Sequence, residues 1–112
     1  MFKVLTCGGR DYANYEAILR RLAKLPKGTI VIHGGCRGAD VLAENAAAAL
    51  GLHTAEVRAR WDQYDRKAGH LRNRAMLNLK PELVIAFPGG KGTANCISQA
   101  RLLGIEVEVR DE

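Results

Sequence analysis

The chain has 112 residues, a formal net charge of +5, 47% hydrophobic and 5% aromatic residues, a balance that supports one domain with a real core and excludes a disordered protein. No apolar run reaches the length of a membrane span, and the opening Met1-Phe-Lys-Val-Leu-Thr-Cys is too short and strand-like for a signal peptide, so the chain reads as cytoplasmic. The basic balance suits an anionic ligand, a nucleotide or a nucleic acid, and equally a merely soluble basic surface.

Phe2 to Thr6 reads as a first strand, ending in the turn Cys7-Gly8-Gly9-Arg10-Asp11. A helix follows from Asn14, a capping residue, to Leu25; its apolar face is Tyr15, Ile18, Leu19 and Leu22, spaced as one helical stripe. Pro26 and Gly28 end it. Thr29 to His33 is a continuous apolar strand running into Gly34-Gly35-Cys36-Arg37-Gly38. An alanine-rich helix, Ala39 to Leu50, stops at Gly51, and its small residues allow close packing on a sheet. His53 to Val57 is a weaker third strand.

Arg58 to His70 is a polar, basic and partly aromatic excursion, followed by a short helix from Leu71 to Leu79 that stops before Pro81. Glu82 to Phe87 is a buried strand. Pro88-Gly89-Gly90-Lys91-Gly92-Thr93 follows, then a helix to Leu103 with Gly104 beyond it, and a last strand from Ile105 to Val109.

Strands alternating with helices predict a Rossmann-like α/β fold, a doubly wound parallel five-stranded sheet covered on both faces in three layers. The expected order is 3-2-1-4-5 with right-handed crossovers. The first and fourth strands then meet at the switch point, where such folds bind ligands. Gly8-Gly9-Arg10 would face Pro88-Gly89-Gly90 there, with the Gly34 to Gly38 turn alongside.

Three glycine-rich turns at one sheet edge point to a phosphorylated ligand. Gly89, Gly90 and Gly92 are expected to admit positive φ and close backbone approach. Thr93 is expected to cap the helix, whose first amides attract anions. Neither turn matches a standard fingerprint. The second lacks the G-x-G-x-x-G spacing, and in the third Lys91 precedes Gly92, which breaks the Walker order.

The pieces Gly8-Gly9-Arg10-Asp11, His33-Gly34-Gly35-Cys36-Arg37-Gly38-Ala39-Asp40, Trp61, Ala68-Gly69, Arg72-Asn73 and Pro88-Gly89-Gly90-Lys91-Gly92-Thr93-Ala94-Asn95 together resemble the SLOG superfamily. These are Rossmann-like domains named for the Smf/DprA and LOG proteins, and the match is to the YspA-like branch. The resemblance covers nearly the whole chain. It implies a nucleotide or nucleotide-derived ligand in the crevice and, for this branch, no established reaction. LOG-type phosphoribohydrolases resemble the chain more loosely. Their Pro-Gly-Gly-x-Gly-Thr-x-x-Glu places the catalytic glutamate at Cys96 here, while Arg72 in Arg72-Asn73-Arg74-Ala75-Met76 falls on their conserved arginine. The binding half is kept and the carboxylate is missing. The resemblance to LOG proteins also implies a homodimer.

The candidate ligand-binding set is Gly8, Gly9, Gly34 and Gly35 for the floor; Pro88, Gly89, Gly90, Gly92 and Thr93 for phosphate; Arg10, Arg37 and Arg72 as charge partners; and Asp40 or Asn95 for ribose. Asp11 and Asp40 are the carboxylates available to activate water, or they simply cap turns and first helical turns. The excursion interleaves Arg58, Arg60, Trp61, Tyr64, Arg66, Lys67, His70, Arg72 and Arg74, as on base-stacking surfaces, with Asp62 and Asp65 diluting the charge. Trp61 covers an adenine, seals the core or forms a dimer contact; the sequence leaves all three open. Cys7, Cys36 and Cys96 lie next to glycine turns. Small buried thiols are the expected reading, without disulfides or metal, and His33 is expected to hydrogen-bond backbone.

The leading function is a sensor or carrier domain for a small phosphorylated ligand. The alternatives are a nucleotide N-glycosidase and a module for single-stranded nucleic acid, which DprA-type relatives bind. No resident cofactor is implied beyond a bound nucleotide.

Overall fold

The computed structural model describes residues 1–64 and 67–112; Asp65 and Arg66 of the excursion lie outside the described residues. Five strands, β1 (Lys3–Cys7), β2 (Ile30–His33), β3 (His53–Glu56), β4 (Leu83–Ala86) and β5 (Glu106–Val109), form one sheet in the order β3-β2-β1-β4-β5. All pairings are parallel. The strand direction of growth reverses between β1 and β4, whose register sets Thr6 beside Ile85 and Cys7 beside Ala86. This is the doubly wound order that the alternating pattern predicts.

The central strands are largely buried on both faces, and Leu83 to Phe87 is apolar throughout, while β1 and β2 also bury Thr6 and His33. The edge strands β3 and β5 are exposed at both ends and half-buried at their two middle residues. One core lies under α1 (Tyr15–Leu22) and α2 (Ala39–Leu50), and includes Val4, Ile18, Val31, Ile85 and Phe87. The other lies under α4 (Ala68–Leu77) and α5 (Lys91–Leu102), and includes Leu5, Ile32, Met76, Leu77 and Val84. Each large side chain sealed this way contributes about 1.5–3 kcal/mol of transfer free energy.

Local chemistry explains the helix ends. Asn14 Oδ1 accepts from Ala17 N–H at 3.1 Å, closing the start of α1. Ala39, Ala43, Ala46 and Ala47 face the sheet with almost no exposure, so α2 packs close to it. Gly51, with φ 71°, ends α2 in the left-handed conformation.

The excursion, read from the sequence without an element of its own, contains helical structure among its described residues. A four-residue helix, α3 (Trp61–Tyr64), forms within it, and α4 begins at Ala68 rather than Leu71. Ala68 is buried and so anchors this earlier start. No helix is long and apolar enough to cross a membrane among the described residues.

Candidate functional site

The three glycine turns are stapled into one unit at the C-terminal edge of the sheet. Gly9 N–H donates to Pro88 O at 2.9 Å, and Gly9 O accepts from Ala39 N–H at 3.1 Å. The first loop is therefore held between the other two. Gly38 allows this with φ 80°; a Cβ there would collide with Gly9 O and lie 2.6 Å from the Arg10 carbonyl carbon. Gly89 allows it from the other side, since a Cβ there would strike the Thr93 hydroxyl and lie 2.7 Å from Gly9 N.

Above these turns opens a cavity of about 720 Å³, a size suited to a small-molecule ligand. Its wall includes Gly8, Gly9, Arg10, Asp11, Asp40 and Arg72, and the run from Pro88 to Thr93. Three basic side chains, Arg10, Arg72 and Lys91, share it with the two carboxylates. Lys91, left out of the predicted set, therefore belongs to the wall.

Two expectations about the third turn are corrected. Gly90, the N-cap of α5, takes φ −103°, and the left-handed glycines at the edge are Gly35 and Gly38 rather than Gly89, Gly90 or Gly92. Gly90 and Gly92 are small for a different reason: a Cβ at either would meet no atom within 4 Å, so their bareness leaves open space beside the cavity. Thr93 does not cap the helix. Because α5 already begins at Lys91, Thr93 occupies the third helical position and is 8% exposed.

Among the described residues, no side chain caps α5. Its first internal bond runs from Ala94 N–H to Gly90 O at 3.0 Å. The amides of Lys91, Gly92 and Thr93 are thus the donors that a helix cannot satisfy internally, and they carry the positive end of its dipole.

Helix α4 ties the site together through two adjacent residues. Arg72 Nη1 donates to Gly34 O at 3.0 Å and approaches Cys36 Sγ at 3.6 Å, while its Nε donates to Asn73 Oδ1 at 3.0 Å. Asn73 Nδ2 donates to Gly92 O and to Asn95 Oδ1, each at 3.1 Å. Asn73 is 4% exposed and was not in the predicted set. The signal was present: Asn73, Met76 and Leu77 share one buried helical stripe, an amide standing where an apolar residue is the default.

Other predicted residues sit beside the cavity rather than on its wall. The Gly34 carbonyl is taken by Arg72. Gly35 packs under Glu56 and donates its N–H to His33 Nδ1 at 3.1 Å. Arg37 reaches Asp11 at 3.4 Å, with both side chains largely in solvent. Asn95 accepts from Asn73 and from Gln99.

Among the described residues, Asp40 is the one buried carboxylate on the wall. Burial pushes its carboxyl up, opposed by the Cys36 N–H at 3.2 Å and by the nearby Arg72 charge. His33, 1% exposed, accepts from Gly35 at Nδ1, which leaves Nε2–H to donate to Glu44 at 2.7 Å. It thus has a carboxylate partner in addition to the expected backbone group, and the His33 hydrogen bond lowers the Glu44 carboxyl from its ordinary value.

Cys7 and Cys96 share the α4/α5 core, and Cys7 also lies on the cavity wall with Cys36, which approaches Arg72. The neighbouring Cys96 and burial push the Cys7 thiol up. Among the described residues, the ligand-type atoms that converge within 4.8 Å belong to His33, Glu44 and Glu56. Both His33 nitrogens already have partners there.

Comparison with known proteins now adds to this geometry. The family described as YspA, cpYpsA-related SLOG matches residues 2–64, more than half of the chain. The chain belongs to the YspA, cpYpsA-related SLOG family. The Gene 61 protein of Mycobacterium phage D29 is 35% identical over 118 residues, spanning 96% of this chain and 94% of that protein. Membership of the SLOG family makes this a nucleotide-related ligand-binding or processing domain. The matched segment holds the first two glycine turns; the third turn and the Arg72-Asn73 pair lie beyond it.

Proposed function

We propose that this SLOG chain binds a nucleotide or nucleotide-derived ligand as a sensor or carrier, with a phosphate group at the start of α5. The observation that supports it most is the uncapped turn at Gly90 to Thr93. Free amides and two glycines with no neighbour in the Cβ direction border a 720 Å³ cavity. Oriented amides at a helix start suit an anion because they need no reorganisation to receive it. Arg72, already locked by Gly34 and Asn73, supplies fixed positive charge beside them. Calorimetric titration with adenosine 5′-monophosphate tests the reading. Saturable binding that inorganic phosphate competes is the expected result; no binding in any concentration range up to millimolar defeats it.

One observation supports a second reading, an enzyme that cleaves the N-glycosidic bond. Asp40 is a buried carboxyl on the cavity wall whose proton is held more tightly than usual, a property suited to a general acid. Release of free base from nucleoside monophosphates, abolished by Asp40→Asn, would establish the enzyme over the sensor. Asp11, 96% exposed and paired with Arg37, is the weaker candidate for that role.

A further inference from the structure

Trp61 is the single tryptophan of the chain, and the fold leaves it 49% exposed. It stands on α3, on the wall of the same cavity that the glycine turns border. Its outer edge packs beside helix α4, where a Cβ built on Gly69 would lie in ordinary contact, 3.4 Å from the outermost ring carbon. One ring face carries the Arg10 guanidinium, its Cζ 5.6 Å from the centroid, within cation–π range. Arg10 follows Gly9, whose amide is bonded to Pro88. A single side chain therefore reaches from beside the third turn to the indole.

The geometry points to Trp61 as a stacking seat for the planar base of a nucleoside 5′-phosphate. This rests on the phosphate placement proposed above. The base takes the indole face that Arg10 covers, and the guanidinium turns toward the ligand's anionic end. Stacking on an aromatic tolerates any base, because every base has a π face. The ligand class is thus a nucleotide rather than a sugar phosphate, with base identity set elsewhere.

Because Trp61 is the only tryptophan, its emission reports on this one position. The full chain is titrated with adenosine 5′-monophosphate and, separately, ribose 5-phosphate, by calorimetry and by tryptophan emission. The nucleotide should quench the emission, and ribose 5-phosphate should bind without quenching. Trp61→Ala should weaken the nucleotide about tenfold or more and leave ribose 5-phosphate unchanged. Trp61→Phe, which keeps a ring, should retain most of the nucleotide affinity. Equal loss of both ligands in Trp61→Ala, or nucleotide binding that leaves the emission untouched, overturns the seat. If ribose 5-phosphate binds and the nucleotide binds no tighter, the seat alone fails. If neither probe binds the unmodified chain, the phosphate reading fails and the seat with it.

Discussion

Arg72 donates to the carbonyl oxygen of Gly34, 38 positions earlier in the chain, at 3.0 Å. The same guanidinium holds the Asn73 amide by its Nε, so one planar group fixes the second glycine turn and orients the residue that fixes the third. A lysine ammonium is a point charge and cannot reproduce that fork. Arg72→Lys is therefore expected to cost about 1–2 kcal/mol, lowering Tm by roughly 4–10 °C. Nucleotide affinity should fall with it. Thermal unfolding with parallel titration checks both; an unchanged Tm would mean that the contact does not stabilise the site.

Asn73 makes a separate prediction. Its Nδ2 serves Gly92 O and Asn95 Oδ1 in a buried position. Asn73→Leu fits the apolar surroundings but takes this donor from Gly92 O and Asn95 Oδ1 and the acceptor from Arg72 Nε, at a cost of about 1–3 kcal/mol. Asn73→Asp keeps an acceptor for Arg72 Nε but removes the Nδ2 donor and sets a carboxylate oxygen against Gly92 O and Asn95 Oδ1, so it should also lose stability. Denaturant unfolding checks both variants, and an Asp variant as stable as the unmodified chain would contradict the second.

The glycines of the third turn separate by role. A Cβ at Gly89 has no room against Thr93 and Gly9, whereas one at Gly90 meets nothing. Gly89→Ala should lower stability by about 1–3 kcal/mol. Gly90→Val should leave Tm nearly unchanged and remove nucleotide binding by filling the phosphate space. Retained affinity in Gly90→Val would count against the site.

Acid stability should report on the far edge of the sheet. Arg21 donates to both oxygens of Glu108, at 2.7 and 2.9 Å, and Arg110 adds a third contact at 2.9 Å. Arg21 in particular holds the Glu108 carboxyl below its ordinary range. A carboxyl lowered by folding stabilises the fold above its unfolded pKa of about 4.3, and that contribution is lost as pH falls through the lower folded value. Glu108→Gln should flatten the acid limb of a stability curve below about pH 4.3 and change little in its slope above pH 6. An unaltered acid limb would show that the pair is too solvated to matter.

Much of the architecture is written locally in the chain. The run Leu83 to Phe87 cannot be solvated on either side, so it demands a covered parallel sheet, and each glycine turn marks where a strand must give way to a helix. Hydrophobic period and turn chemistry involve near neighbours only, and the strand order follows from them with the switch point. Other features depended on separations that no local pattern encodes. Thr93 carries a capping residue's chemistry, yet α5 starts at Lys91 and folds it inward against Gly89. Asn73 belongs with Gly92 and Arg72 with Gly34 because α4 lies across the sheet edge, and Trp61 shares the cavity wall with Gly69 because α3 packs beside α4. A hydrogen bond or a stacking surface is a relationship in space, and the packing of α4 against the loops decided which residues could share one.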